Sequence, residues 1–263
     1  MDCTLLGTGS AIGMPAPLCD CKYCCDINRT RPCLLVKTEK RNILFDISPD
    51  IREQSFREFT DIDSVFLTHY HHDHITGLQE LCHTTLSPEH VVTDDEIESH
   101  KMYNWLGKEY DVYGSNYVQS QLRDNLSYIA DKDEINLIEL TEDKSIQIGS
   151  LDITPFIAEH TLGYMGYVID DGSKKVVYHP DYGKLRTDNS FDDIDTLVTD
   201  GSSILGYDIH GSRDEFEELI GTIDAENIIF TNVSEHIAQE STENLKNKIK
   251  GINSKIVSDG YKF

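Results

Sequence analysis

The chain has 263 residues, of which 38% are hydrophobic and 27% are charged, so it can form one large globular domain spanning residues 1–263. Its 47 acidic and 23 basic residues give a formal net charge of −24, which argues against a nucleic-acid partner because phosphate contacts need patches of Lys and Arg. No apolar run approaches the ~20 residues that cross a bilayer, and no basic segment typical of a signal peptide opens the chain. We therefore expect a cytoplasmic protein with no membrane partner.

The first predicted strand is Cys3–Leu6, and Gly7-Thr8-Gly9-Ser10 follows it as a predicted tight turn. This short motif lacks the spacing of a P-loop or of a full dinucleotide-binding fingerprint. We therefore favour a turn that brings backbone close to a functional site over a loop that cradles a phosphate.

Three cysteines, Cys19, Cys21 and Cys24, cluster in the loop that follows. The seven cysteines of the chain are not spaced like a disulfide framework, and clustered cysteines in a cytoplasmic chain indicate metal binding. A closed structural Zn²⁺ site needs a fourth ligand. Either the adjacent Cys25 or a distant His could supply it, and we favour the His.

The richest motif follows a predicted buried strand at Val65–Leu67 and has the pattern His69-x-His71-x-Asp73-His74. Neutral imidazoles suit Zn²⁺ or Fe²⁺, and the carboxylate suits a second, harder ion. The sequence predicts a dinuclear metal site here rather than a His-rich surface turn. Asp46 ends another predicted strand and could either bond to one of these His side chains or cap a turn.

The predicted elements after this motif are a helix from Ile75 to Leu81, an amphipathic helix over 118–129, and strands at 111–113, 146–157, 164–169, 175–178, 196–200 and 228–231. Four polar residues follow these later strands, namely His160, Asp181, His210 and Asn232. His210 directly precedes the capping-box sequence Ser212-x-x-Glu215, which predicts a helix start.

The HxHxDH spacing at a strand end resembles the signature of the metallo-β-lactamase superfamily. The resemblance implies an α/β protein with an αββα sandwich and two divalent metals, Zn²⁺ or Mn²⁺. It also implies a ligand set, with metal one on His69, His71 and His160, metal two on Asp73 and His74, and Asp181 bridging both. The family usually has a His where this chain has Asn232.

A closer resemblance covers nearly the whole chain, through Gly7-Thr8-Gly9, the cysteine cluster and Thr68-His69-Tyr70-His71. This pattern is similar to the phosphoribosyl cyclic phosphodiesterases of phosphonate degradation. The similarity implies that His236 completes a structural Zn²⁺ site with Cys19, Cys21 and Cys24, and that His210 acts as an acid. His236 could instead serve metal two, but we favour the cysteine site, which leaves metal two with fewer ligands.

We therefore expect a metal-dependent phosphodiesterase that acts on a small phosphate ester, which could be cyclic. Asp73 or Asp181 would orient the nucleophile, and His210 would protonate the leaving group. The alternatives are hydrolysis of carboxyl esters, thioesters or lactones, a di-iron protein, and a non-catalytic accessory protein with an altered second metal site. The expected partner is a small molecule, and the sequence leaves a homodimer open.

Overall fold

A computed structural model of the protein describes residues 1–21, 27–58, 61–83, 109–130, 135–186, 191–202, 210–233 and 253–263. Two β-sheets pack face to face, and helices cover the outer face of each sheet. These four layers confirm the predicted αββα sandwich. Within the described ranges, none of the helices is both long and apolar enough to cross a membrane.

The strands of the described residues are β1 Asp2–Gly7, β2 Cys33–Lys37, β3 Asn42–Phe45, β4 Ser64–Phe66, β5 Tyr110–Gly114, β6 Ile135–Glu139, β7 Ile146–Ile148, β8 Leu151–Glu159, β9 Met165–Asp170, β10 Lys175–His179, β11 Lys184–Leu185, β12 Ile194–Asp200, β13 Ala225–Thr231, β14 Ser254–Ile256 and β15 Tyr261–Lys262. The first sheet has the order β15-β1-β2-β3-β4-β5-β6, and the second has the order β11-β8-β9-β10-β12-β13-β14, with β7 pairing to β8.

Strand direction brings the ends of several strands to one edge of the sandwich. In the first sheet β3 and β4 are parallel. In the second sheet β10, β12 and β13 are parallel, and β8 runs the same way because both β8 and β10 are antiparallel to β9. The residues that follow these strands therefore converge, although they are far apart in the sequence.

The helices of the described residues are α1 Ile51–Glu58, α2 His72–Ile75, α3 Gly77–His83, α4 Asn116–Asn125, α5 Ser127–Ala130 and α6 Arg213–Thr222. The capping box predicted at the start of α6 is confirmed, because the Ser212 side chain accepts a hydrogen bond from the Glu215 amide and Glu215 reaches back to the Ser212 amide.

Two predicted helices are each divided in the structure. The helix predicted from Ile75 divides at Thr76, because the Gly77 amide donates to the Ile47 carbonyl, 3.0 Å away, and docks so closely that a Cβ there would lie 2.2 Å from the Ser48 carbonyl oxygen. The helix predicted over 118–129 divides at Leu126, where the backbone leaves helical geometry with φ −126° and ψ 40°. Tertiary contacts and local backbone geometry decide these breaks, which side-chain periodicity does not reveal.

Alternation along the strands divides the apolar residues among three layers. In β3, Phe45 faces the other sheet and Leu44 faces the helices. Aromatic rings fill the layer between the sheets, where Phe66 stacks on Phe45 and Tyr113 with ring centroids 5.1 and 4.4 Å apart. This rigid core supports the edge at which the polar strand ends meet.

Candidate metal centre

Four side chains from separate parts of the sequence meet at this edge. His69, His71, His160 and Asp181 each offer one ligand atom, and these atoms lie within 4.8 Å of one another. The Nε2 atom of His69 lies 2.7 Å from Nδ1 of His71. His69 and Asp181 are buried, whereas His71 is exposed and opens the cluster to solvent. The structure therefore brings together the four residues that the resemblance assigns to metal one.

The imidazoles of His69 and His160 are held by hydrogen bonds through their Nδ1 atoms. Nδ1 of His69 lies 2.9 Å from Thr68 Oγ1, whose proton goes to Asp46, and Nδ1 of His160 lies 3.0 Å from the Tyr182 carbonyl oxygen. Because each Nδ1 donates its proton, each Nε2 is left as a lone-pair donor that faces Asp181.

His74 and Asp73 form a second group next to the first. Nδ1 of His74 donates to Oδ2 of Asp46 over 2.7 Å, while Nε2 lies 3.1 Å from Oδ2 of Asp73. Asp46 also accepts from the Thr68 amide at 2.8 Å, so one buried carboxylate orients ligands of both groups. The hydrogen-bonding alternative predicted for Asp46 is thus confirmed, and Asp46 adopts a left-handed backbone with φ 61°.

The carboxylate of Asp181 lies between the two groups. Its Oδ2 atom is 3.4 Å from Nε2 of His69 and 3.3 Å from Nε2 of His160. Its Oδ1 atom is 3.5 Å from Nε2 of His74. One carboxylate therefore presents a separate oxygen to each group, which is the arrangement that can hold two ions.

The charges of these groups decide whether a divalent cation fits between them. Among the described residues, the buried Nε2 atoms of His74 and His160 have no hydrogen-bond partner. Burial, with His74 nearby, holds the pKa of His69 well below its ordinary value, so this imidazole is neutral as a metal ligand must be. Burial opposes ionisation of Asp181, but His74 and His160 hold its pKa well below the usual range. Burial opposes protonation of His74, but the carboxylates of Asp46 and Asp181 outweigh it and raise the pKa of His74 well above its ordinary value, so a cation at its Nε2 would displace a proton. A neutral His69 beside an ionised Asp181 suits a divalent cation.

Asn232 lies at the second group, where it is buried with φ 52°. Its Nδ2 atom donates to Oδ1 of Asp181 over 2.7 Å. An amide nitrogen has no lone pair for a metal, so this contact adds no ligand. Within the part of the chain that the structure describes, the second group offers Asp73, His74 and Asp181. The structure thus places Asn232 at the predicted position, with its amide nitrogen towards the carboxylate.

His210 lies beside the centre, with its ring centroid 4.8 Å from that of His160. Nδ1 of His210 is 2.5 Å from Oδ2 of Asp200, a fully buried carboxylate. Burial lowers the pKa of His210, but the hydrogen bond to Asp200 outweighs it and raises this pKa above its ordinary value. The arrangement favours a protonated imidazole whose Nε2 can donate.

Sequence reasoning did not identify Asp200 as a residue of this site. Asp200 ends β12 at the same edge as the other strand ends, so its position was the available signal.

The predicted cysteine site is not settled, because Cys24 and His236 lie outside the described residues, while Cys19 and Cys21 are half-buried. The structural Zn²⁺ site therefore stays a prediction.

Comparison with known proteins gives a family match over most of the chain. A family model described as the beta-lactamase superfamily domain matches residues 41–231. The octanoyltransferase of Porphyromonas gingivalis is 32% identical over 184 residues, which cover 65% of this chain and 33% of that protein. The ribonuclease Z of Methanopyrus kandleri is 27% identical over 168 residues, covering 63% and 48%. The chain thus spans a third to a half of the length of these relatives.

Solved structures share the fold over the full chain. A diphosphatase from the PhnP family superposes with a TM-score of 0.77 at 22% identity, covering 100% of this chain and 96% of that one. Zn²⁺-bound PqqB from Methylobacterium extorquens gives 0.77 at 17% identity, covering 100% and 99%. The short form of human tRNase Z gives 0.65 at 16% identity, covering 100% and 98%. At these identities the likeness concerns the fold alone.

Proposed function

The chain belongs to the beta-lactamase superfamily, and from this membership and its metal centre we propose that it is a metal-dependent phosphodiesterase for a small phosphate ester. The observation that carries the proposal is the carboxylate of Asp181, whose two oxygens face separate imidazole groups. A small substrate fits better than RNA, because the net charge of −24 would repel a polyanion.

The ligands would divide between two sites, with His69, His71, His160 and Asp181 at one and Asp73, His74 and Asp181 at the other. When bound, divalent cations there would lower the pKa of a coordinated water and neutralise charge that grows on the phosphoryl oxygens. Asp46 keeps His74 in the tautomer that can bind a cation. Asp73, whose Oδ2 lies 3.1 Å from Nε2 of His74, would accept a hydrogen bond from the nucleophile and orient it.

His210 would act on the leaving group. Its protonated Nε2 would donate to the departing alkoxide, and Asp200 would stabilise the imidazolium before that transfer. His71, the exposed ligand, lies on the side from which the substrate would enter. In this proposal the chain's own groups hold the cations, orient the nucleophile and supply one proton.

The test compares hydrolysis of bis-p-nitrophenyl phosphate with hydrolysis of p-nitrophenyl acetate, using wild type and Asp181→Ala. The proposal expects turnover of the phosphodiester that the substitution abolishes. Turnover that survives in Asp181→Ala would show that the mechanism is wrong.

A second candidate is hydrolysis of a carboxyl ester or thioester at the same centre. The observation in its favour is the 32% identity to an octanoyltransferase, whose name denotes acyl transfer. Turnover of p-nitrophenyl acetate without turnover of the phosphodiester would favour this candidate.

A further inference from the structure

Tyr164 and His179 form a buried polar pair directly behind Asp181. The exposed fractions of Tyr164 and His179 are 1% and 0%. The Tyr164 hydroxyl lies 2.8 Å from Nδ1 of His179, and Nε2 of His179 lies 3.1 Å from the Gly183 carbonyl oxygen. The Tyr164 ring also packs against the candidate ligand His160, with ring centroids 5.3 Å apart. The pair therefore links the backbone just after Asp181 to the ring of His160.

The hydrogen bonds of this pair fix where each proton lies. A carbonyl oxygen can only accept, so Nε2 of His179 carries the proton and Nδ1 accepts from the Tyr164 hydroxyl. Burial lowers the pKa of His179 to about 4, so the imidazole is neutral near pH 7. Every polar atom of the pair is satisfied without a charge.

The same segment is also held to the rest of the site. The Tyr182 carbonyl accepts from His160, and the Tyr182 amide donates to Oδ2 of Asp200 over 3.2 Å. At Gly183 a Cβ would lie 2.9 Å from the His160 amide nitrogen, so the segment packs tightly against that ligand. A shift of this segment would therefore move Asp181 and His160 together, and the Tyr164–His179 pair opposes such a shift.

We propose that Tyr164 and His179 are positioning residues that hold the Asp181 carboxylate between the two metal sites. This inference rests on the proposed function. Hydrogen-bond partners behind metal ligands typically change metal affinity by roughly 10–100-fold when they are removed. Tyr164→Phe removes the hydroxyl that donates to Nδ1 of His179 and leaves this buried nitrogen without a donor.

The matched control is Tyr167→Phe. Tyr167 is also fully buried, and its hydroxyl donates to the Leu67 carbonyl oxygen over 2.5 Å. Both substitutions remove one buried hydroxyl and one hydrogen bond, but only the first reaches the Asp181 segment. A structural loss alone would therefore affect the two variants alike.

The experiment titrates the full-length protein with Mn²⁺ and follows free Mn²⁺ by electron paramagnetic resonance. Mn²⁺ prefers carboxylate to thiolate ligands, so the cysteine cluster interferes little. We expect the Kd for Mn²⁺ to rise about 10–100-fold in Tyr164→Phe and less than about threefold in Tyr167→Phe. His179→Gln keeps a side-chain donor for the Gly183 carbonyl but lacks the ring geometry, and we expect its Kd to lie between those of wild type and Tyr164→Phe.

Equal Kd values in Tyr164→Phe and Tyr167→Phe, with Mn²⁺ bound normally by wild type, would overturn the inference and leave the proposed function standing. Absence of Mn²⁺ binding by wild type would overturn both. If Tyr164→Phe does not fold, His179→Gln decides the question, and a wild-type Kd in that variant would overturn the inference.

Discussion

Replacing His210 with Gln is expected to slow hydrolysis of phosphodiesters with alkoxide leaving groups much more than hydrolysis of those with p-nitrophenolate. An alkoxide needs a proton as it departs, whereas p-nitrophenolate is a stable anion that leaves without one. A difference between the two substrates would therefore isolate the protonation step from metal binding and from the attack on phosphorus.

The magnitude follows from the contacts of His210. A positioned general acid contributes roughly 10²–10⁴-fold, so we expect a loss in kcat of that size for the alkyl substrate and of less than about tenfold for the aryl substrate. The 2.5 Å contact with Asp200 is charge-assisted, and hydrogen bonds of this kind contribute ~1.5–3 kcal/mol. Asp200→Asn removes the charge from this contact and should therefore lower kcat for the alkyl substrate by about 10–100-fold.

The assay measures kcat and KM for a methyl p-nitrophenyl phosphate, a dialkyl phosphate and bis-p-nitrophenyl phosphate in wild type, His210→Gln and Asp200→Asn. Mn²⁺ titration of each variant checks that the metal centre is intact. Equal losses on alkyl and aryl leaving groups would refute the assignment of His210 as the acid.

Three further predictions concern the ligand groups and the packing. Asp46→Asn removes the carboxylate that accepts from His74, and we expect about 10–100-fold weaker Mn²⁺ binding, whereas unchanged binding would contradict the role of Asp46. Asn232→His adds an imidazole at the second group and should tighten binding of the second Mn²⁺ about tenfold, or ~1.4 kcal/mol, in the same titration; no gain would mean that this position does not face a metal. Gly7→Ala places a Cβ 1.9 Å from a carbonyl oxygen and should lower the free energy of unfolding by about 1–3 kcal/mol in urea denaturation. Gly221→Ala, in α6, is the control, because no atom of the described residues lies within 4 Å of the added Cβ, and it should raise that free energy by about 0.5–1 kcal/mol.

The sequence was informative where a single local pattern carries the chemistry. One motif at a strand end contains His69, His71, Asp73 and His74, so their closeness in space follows from their closeness in the sequence. The alternation of apolar residues likewise predicts where most of the strands lie, because one face of each strand must be buried.

Other features depend on contacts between distant segments. Asp46 orients His74 only because β3 and β4 are adjacent and parallel. The proposed role of His179 depends on the Gly183 carbonyl, a main-chain group that leaves no trace in residue type. The division of the helix at Thr76 follows from the close approach of Gly77 to another loop, a contact that no helical periodicity predicts.

The most direct test of the dinuclear centre is elemental analysis of purified wild type and Asp181→Ala. We predict two divalent cations per chain at the centre of wild type, in addition to any Zn²⁺ at the cysteine cluster. We predict that Asp181→Ala loses the two cations of the centre and keeps any Zn²⁺ at the cysteine cluster. The same metal content in both proteins would contradict the claim that the Asp181 carboxylate joins two metal sites.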